Sequence, residues 1–344
     1  MSIILTPDDY KFSVLKWGFH IDTVKQFQKD MNIPAEDTEY YKGVVQYLNT
    51  PGHSTFLWKA CHDRKILVQF VEKFRQLFKD IMSKGYDNNC PIDIHILGNG
   101  EIRIFNGHHR AAIAYVLGIS ITAKVKDRNK EWLSFLSTLN NMYPNREKTL
   151  YQEIKHPEFQ DWVSHRNVTE RTTAILNTIG KNNTLLDIGC CQGMLSFDLA
   201  DSGIVVDAVE INDRYYSAAI AIKNTLYPST RISILKTDAW ELTKTWDWVL
   251  CLSVLHHELK KGMPQFLTKI QKLKNLSKKG IILELGDGSE TQMKNVPNYP
   301  NNQKELESWL NESTGKTWEP ILKGVPVQDR KSRSDSRWLW ITKK

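Results

Sequence analysis

The ten residues from Thr184 to Gly193, TLLDIGCCQG, constrain the fold more than any other stretch of the chain. An apolar run leads into Asp187, small residues follow, and a helical pattern resumes at Met194, which predicts a buried strand, a tight turn and a helix. Gly189 permits the sharp turn, and Gly193 lets the helix start close to a ligand whose anionic group meets free backbone N–H groups. We interpret this as a nucleotide-binding turn, and a plain strand-to-helix turn stays open as the alternative.

Strands and helices alternate after this turn, as a doubly wound parallel sheet requires. The second strand ends on Glu210, and an acid at that position can accept hydrogen bonds from both hydroxyls of a ribose. The third leads to Asp238, placed to accept from an adenine amino group, with Ala239 beside it for apolar contact with the ring. The fourth brings Ser253 to the cleft, and the fifth ends on Glu284.

These five segments, in this order and spacing, resemble the class I S-adenosylmethionine-dependent methyltransferases over about residues 155–344. The resemblance implies a Rossmann-like, seven-stranded sheet whose last two strands lie around 318–327 and 338–342. It also implies S-adenosyl-L-methionine as the cofactor. One departure is Cys191, which replaces the middle glycine of the usual turn. The cofactor-binding residues that the resemblance implies are Asp187, Gly189, Cys190, Gly193, Glu210, Ile211, Asp238, Ala239 and Ser253.

The segment LSVLHHE and the stretch that begins at Tyr151 are similar to methyltransferases among surface-polysaccharide and modified-sugar enzymes. This implies O-methylation of a glycan, a phosphorylated glycan or a related small molecule in polysaccharide biosynthesis. Removal of the acceptor's proton is assigned to His256 or His257, because an imidazole titrates near neutrality. Glu258 and Glu284 are the second choices for the catalytic base, and the alternative is that either caps a helix or pairs with a lysine. If the acceptor is already an anion, the histidines orient it instead.

A helix is predicted over residues 159–179, carrying Arg166 and Arg171. Near a cleft, either arginine is suited to bind a phosphate or carboxylate of the acceptor. The alternative is that both are exposed helix arginines.

The first part of the chain predicts an amphipathic helix over 64–83, a hairpin over 92–105 and a helix from His108. The sequence NGHHR lies where the second hairpin strand meets that helix. Residues 85–127 resemble the ParB/sulfiredoxin-like fold, whose members bind CTP, use ATP or phosphorylate small hydroxylated molecules. The resemblance implies a smaller α+β domain that binds nucleotide or acceptor and is a candidate kinase. The phosphate or acceptor residues would be Asn106, Gly107, His108, His109 and Arg110. In the alternative interpretation, Asn106 caps the helix and the histidines pack.

The length of 344 residues predicts two domains, assigned to residues 1–147 and 148–344 with a polar linker at 145–148. A net charge of +7 without a basic arm makes nucleic acid an unlikely partner, and a small-molecule or glycan acceptor is expected. The alternative function is a DNA-associated ParB-like protein that carries a methyltransferase domain. Five cysteines without paired spacing predict reduced thiols and no metal site. The absence of a long apolar run predicts no membrane span, and a cytoplasmic location is expected.

Overall fold

A computed structural model describes residues 2–49, 63–143, 146–166, 168–290, 293, 296–325 and 337–344. The chain forms two compact units. The first comprises Met1–Ser134 and His156–Gln160, and the second comprises Phe135–Lys155 and Asp161–Lys344. The domain boundary after residue 147 stays a prediction, and the mixed α/β class is confirmed.

The first unit contains a four-stranded sheet in the order β1-β4-β2-β3, in which β2 and β4 are parallel and the other pairs antiparallel. Its elements are β1 (Ser2–Leu5), α1 (Pro7–Leu15), α2 (Gly18–Lys29), α3 (Glu39–Asn49), α4 (Arg64–Lys84), β2 (Ile92–Ile96), β3 (Ile102–Asn106), α5 (His108–Leu117), β4 (Ile121–Arg128) and the start of α6 (Lys130–Asn140).

Helix α4 shows how the pattern of the sequence produces these elements. Asp63 caps it by accepting from the Lys65 backbone N–H at 2.9 Å. The buried side chains of α4 recur at three- and four-residue steps and include Phe74 and Phe78. The helix ends at Gly85, which has a φ of +81°. The predictions of this helix, of the hairpin and of the helix at His108 are confirmed.

The second unit contains a seven-stranded sheet in the order β12-β13-β11-β10-β7-β8-β9, parallel except for the antiparallel pairings of β13. Its elements are β5 (Thr149–Gln152), β6 (Val163–Arg166), α7 (Thr169–Ile179), β7 (Thr184–Ile188), α8 (Met194–Asp201), β8 (Val205–Val209), α9 (Asp213–Leu226), β9 (Ile232–Leu235), β10 (Trp246–Leu252), α10 (Leu255–Leu259), α11 (Met263–Leu276), β11 (Ser277–Glu284), α12 (Gln303–Thr314), β12 (Glu319–Val325) and β13 (Arg337–Lys343).

The order of the parallel strands determines where a ligand can bind. Strand β7 lies between β8 and β10, so the chain runs outward in opposite directions on its two sides. In open sheets of this kind, a crevice forms at the carboxyl ends of the strands where the order reverses. The glycine turn follows β7 and therefore lies at this crevice.

The helix predicted over residues 159–179 is wrong in its first half. Residues Val163–Arg166 form strand β6, which pairs in parallel with β5, and the helix α7 begins only at Thr169. The pairing includes a hydrogen bond from the Glu153 N–H to the Arg166 carbonyl at 3.1 Å. The spacing of apolar residues predicted a helix, but pairing with β5 holds these residues as a strand instead. Of the predicted last strands, residues 326 and 327 lie outside the described residues.

Among the residues that the structure describes, no helix is long and apolar enough to cross a membrane. Within the same residues, no group of three histidine, cysteine or acidic side chains could hold a metal ion.

Candidate functional site

The turn after β7 is built from left-handed backbone. Gly189 has a φ of +71°, and a Cβ there would lie 2.6 Å from Cγ2 of Val254. Gly193 has a φ of +83° and begins α8. Cys191 adopts a φ of +56° despite its side chain. The turn therefore has left-handed backbone at three positions, and at Gly189 a side chain would not fit.

A cleft of about 670 Å³ opens at the carboxyl ends of β7, β8 and β10. A smaller cavity of about 30 Å³ adjoins it, since both are lined by Gly189, Arg166 and Ser253. The other predicted residues that line the large cleft are Glu210, Ile211, His256 and His257. The other predicted residues that line the small cavity are Asp187, Cys190, Arg171 and Glu284.

Glu210 follows β8 directly and is buried at 7% exposure. One carboxylate oxygen accepts from the Cys191 N–H at 2.9 Å, and the other accepts from the Asn212 N–H at 2.8 Å. Burial raises the pKa of Glu210, and these backbone donors oppose that shift. Each oxygen keeps further acceptor capacity, so this carboxylate is suited to bind hydroxyl donors in the cleft.

Asp187 is buried at the end of β7 and accepts a hydrogen bond from the Ser196 hydroxyl at 2.5 Å. Burial raises its pKa to about 6, with a further contribution from the negative charge of Glu210. The neighbouring thiols of Cys190 and Cys191 are buried, and burial raises their pKa values well above 9.0. Both cysteines therefore stay protonated, and the turn has no thiolate nucleophile.

Asp238 and Ala239 follow β9, as predicted, but they are not among the residues that line either cavity. Asp238 accepts from the Trp240 N–H at 2.9 Å and caps a short helix. Glu210, which is predicted to hold a ribose, and Asp238, which is predicted to contact adenine, thus have different surroundings.

Glu284 lies at the centre of a buried ion network. Arg171 contacts one of its oxygens at 2.8 Å, and the Ser253 hydroxyl donates to the other at 2.6 Å. Arg337 donates to Ser253 at 2.5 Å and forms a two-point ion pair with Glu290. Burial favours the neutral acid, but Arg171, Arg337 and other partners hold the pKa of Glu284 at about 2. A carboxylate this acidic is a poor proton acceptor at neutral pH.

The two predicted base histidines differ in exposure. His256 is buried, and burial followed by the charges of His257 and nearby cations lowers its pKa to about 3. Its Nδ1 is buried with no hydrogen-bond partner among the described residues. His257 is exposed, and its pKa is lowered by partial burial and by Lys260. Both imidazoles are neutral at pH 7, and His257 is the more basic candidate.

Arg166 and Arg171 have different roles in this geometry. Arg171 is 4% exposed and bound to Glu284, so its charge is neutralised inside the unit. The Arg166 guanidinium lies 5.4 Å from the Tyr151 ring centroid, and its buried Nε has no partner among the described residues. Arg166 is therefore the arginine that can donate to an anion in the cleft.

Sequence reasoning missed several residues of this site. Gln192 accepts from the backbone N–H groups of Tyr151 and Gln152 at 3.0 and 3.2 Å, which attaches β5 to the glycine turn. Arg337 and Glu290 were not singled out, because they lie 47 residues apart and no spacing rule connects them. The signal for Gln192 was its place inside the turn, where a long polar side chain is unexpected.

In the predicted phosphate site of the first unit, the Arg110 guanidinium already has partners, whereas the buried Nε2 of His109 has none among the described residues. Arg110 donates to the carbonyls of Cys90 and Pro91, the latter at 3.1 Å. His109 packs 4.4 Å from the Phe74 ring centroid. Gly107, with a φ of +94°, is the N-cap of α5, so the interpretation that Asn106 caps the helix is wrong.

The other two side chains of that predicted site, those of Asn106 and His108, contact side chains of the same unit. Asn106 contacts Asp93 at 3.5 Å. His108 lies 5.8 Å from the Trp17 ring, and burial lowers its pKa. The packed arrangement of the histidines agrees with the alternative that the sequence left open.

Comparison with known proteins gives partial structural likeness. No protein-family model matches the sequence, and a search of curated proteins finds no match. The magnesium protoporphyrin IX methyltransferase of Synechocystis is 18% identical with a TM-score of 0.40, over 52% of this chain and 77% of that one. The bifunctional kinase-methyltransferase WbdD is 20% identical with a TM-score of 0.46, over 59% of this chain. This chain spans 45% of the WbdD chain. The N-methyltransferase NodS of Bradyrhizobium japonicum is 17% identical with a TM-score of 0.38, over 51% of this chain and 95% of that one.

Proposed function

We propose that the second unit is a class I S-adenosylmethionine-dependent methyltransferase. The observation that carries the proposal is Glu210, a buried carboxylate at the tip of β8 that lines the cleft beside the glycine turn. An acid at this position of a doubly wound sheet is suited to a ribose. The seven-stranded order and the crevice at the reversal point support the same assignment.

The described residues fit a nucleoside with an amino-acid tail. Gly189 lines the cleft and approaches Val254 so closely that the turn leaves no room for a Cβ at this position. Glu210 would hold the ribose hydroxyls, and Ile211, which is 64% exposed and lines the cleft, would contact the base. The unpartnered Nε of Arg166 would meet a carboxylate or phosphate. Asp238 and Ala239 stay proposed as adenine contacts.

When bound, the cofactor would supply a methyl group on a sulfonium, to whose carbon the acceptor oxygen would bond as the C–S bond breaks and its electrons stay on the departing sulfur. His257 takes the hydroxyl proton of a neutral acceptor, since it lines the cleft as a neutral imidazole. His256 orients the acceptor through its unpartnered Nδ1. Glu284 takes no proton and holds Ser253 and the two arginines in place.

We infer an oxygen acceptor on a glycan, a phosphorylated glycan or a related small molecule. Arg166 supports an anionic group in the cleft, and the tyrosine rings that line it, Tyr143, Tyr151 and Tyr215, offer faces for packing against a sugar ring. It stays a prediction that the first unit is ParB-like, that it binds ATP or CTP, and that it is a kinase. The DNA-associated alternative predicts duplex binding that falls steeply with salt, which a filter-binding series would detect.

Calorimetry with S-adenosylhomocysteine tests the cofactor proposal. The wild type is expected to bind one molecule, and Glu210→Gln is expected to weaken binding by about 1–3 kcal/mol because an NH2 donor replaces one of the two acceptor oxygens. Asp238→Ala is expected to weaken it less, since Asp238 does not line the described cavities.

Asp213→Asn is the matched control. Asp213 begins α9 close to Glu210 in the chain, but its side chain is 78% exposed and pairs with Lys236. Affinity that is unchanged in Glu210→Gln, or lowered equally in Asp213→Asn, would show that the ribose assignment is wrong.

A further inference from the structure

Five residues, His156–Gln160, connect two strands of the second unit but belong to the first. The strands that they connect, β5 and β6, carry Tyr151 and Arg166, and both of these side chains line the cleft. The chain therefore leaves the wall of the cleft, is held within the first unit for five residues, and returns to the same wall.

This connecting segment is firmly held inside the first unit. Glu158 is 4% exposed and forms a two-point ion pair with Arg128, with N–O distances of 3.0 and 2.8 Å. The His156 ring contacts the carbonyl of Gly100 at 2.9 Å. The Gln160 side chain accepts from the N–H of Ile4 at 3.0 Å and donates back to its carbonyl. The anchors thus lie on β4, on the hairpin turn and on the edge strand β1.

The strands that the segment connects are too short to be rigid alone. Strands β5 and β6 have four residues each and form a two-stranded sheet. A two-stranded ladder of this size is marginally stable in water. Gln192 holds β5 on the glycine turn through backbone hydrogen bonds. Strand β6, which carries Arg166, pairs with β5 and follows the connecting segment directly in the chain.

We propose that the first unit is a positioning domain for the cleft, acting through the buried Arg128–Glu158 pair that anchors the β5–β6 connection. The inference rests on the proposed function for what the cleft binds. The anchor residues themselves are not among those that line the cleft. They act through Arg166 and Tyr151 and are positioning residues.

Hydrogen exchange on the full-length chain tests the anchor without any ligand. The N–H groups of Glu153 and Val163 donate to carbonyls of Arg166 and Lys148, and they report on the β5–β6 ladder. Glu158→Gln and Arg128→Gln are expected to raise their exchange rates about tenfold or more. Arg128→Lys keeps the charge and is expected to restore much of the protection.

Arg75→Gln is the matched control. Arg75 is also a buried arginine of the first unit, 7% exposed, and it donates to the carbonyls of Met31 and Ile33. It makes no described contact with residues 156–160. This variant is expected to destabilise the first unit while leaving exchange at Glu153 and Val163 unchanged.

Binding of S-adenosylhomocysteine supplies the functional readout, with a loss of about tenfold expected in Glu158→Gln and none in Arg75→Gln. Unchanged exchange rates in both Glu158→Gln and Arg128→Gln would overturn the inference. An equal rise of these rates in the control, Arg75→Gln, would overturn it as well. If either anchor variant fails to fold, Gln160→Ala removes a milder anchor and is judged by the same exchange rates. If the wild type does not bind S-adenosylhomocysteine, the proposed function is wrong. The hydrogen-exchange rates would still test whether the Arg128–Glu158 pair stabilises the β5–β6 ladder.

Discussion

The two units each start a helix in the same way, but only the turn that leads into the helix of the second unit, through Gly189 and Cys191, lines the cleft of about 670 Å³. Gly193 begins α8 and Gly107 begins α5, both with left-handed backbone and without a side-chain cap. After β7, the neighbouring strand β8 ends in a carboxylate that faces the cleft. After β3, the turn packs on Ile92, and Arg110 is bonded to backbone carbonyls. A left-handed glycine at a helix start therefore does not by itself predict a ligand site.

Alanine at the two turn glycines gives the largest expected difference between the units. At Gly189 and at Gly107, a Cβ would lie 2.6 Å from Val254 and Ile92 respectively, at positive φ. Strain and overpacking are expected to cost each variant about 2–4 kcal/mol of folding free energy. Only Gly189→Ala should also lose affinity for S-adenosylhomocysteine, measured by calorimetry at a temperature where both variants are folded. Equal loss of affinity in Gly107→Ala would remove the distinction.

The next largest expected difference between the two units concerns one arginine in each, Arg166 and Arg110. Arg166→Gln is expected to weaken S-adenosylhomocysteine or acceptor binding by about 1.5–3 kcal/mol, because a charged donor to an anion is lost. Arg110→Gln is expected to lower the stability of the first unit and leave that affinity unchanged, because its guanidinium serves two carbonyls.

Methylthioadenosine, which lacks the amino-acid tail, separates the two anions that Arg166 can meet. If the affinity advantage of S-adenosylhomocysteine over it disappears in Arg166→Gln, the partner is the cofactor carboxylate. If that advantage persists while binding of a phosphorylated glycan is lost, the partner is the acceptor. No change with either ligand would contradict the role of Arg166.

The smallest expected effect is on the pH dependence of stability. His109 is buried in an aromatic cluster, and burial lowers its pKa from 6.5 to about 4. The unfolded chain therefore binds a proton at higher pH than the folded unit, so stability falls as the pH drops from about 6.5 to about 4. The expected loss is about 1–3 kcal/mol, and His109→Phe should reduce the slope.

Glu284 gives the same sign in the second unit, but over a lower pH range. Its folded pKa of about 2 lies below the usual 4.5, so its contribution is complete above pH 4.5 and is lost only as the pH falls toward 2. Denaturant unfolding between pH 7 and pH 3 measures both. An unchanged slope in His109→Phe would show that another group controls the acid transition.

What the sequence predicted well is local. The strand, turn and helix around Gly189 follow from apolar runs and small residues, and Glu210 follows from its place after the next strand. Strand β6 was missed because its partner β5 is equally short and the stretch has no alternating pattern of its own. The network of Arg171, Glu284 and Arg337 joins side chains 53 to 113 residues apart, which no local pattern encodes.

The interrupted course of the chain also affects the order in which the protein can mature during synthesis. Domains generally fold as units as they leave the ribosome, the N-terminal one first. Here Arg128 receives its partner Glu158 only after residues 135–155, which belong to the second unit, have emerged. The first unit therefore remains incomplete on the nascent chain until residue 160 has emerged. If the ribosome pauses before that point, Arg128 lacks the carboxylate of Glu158.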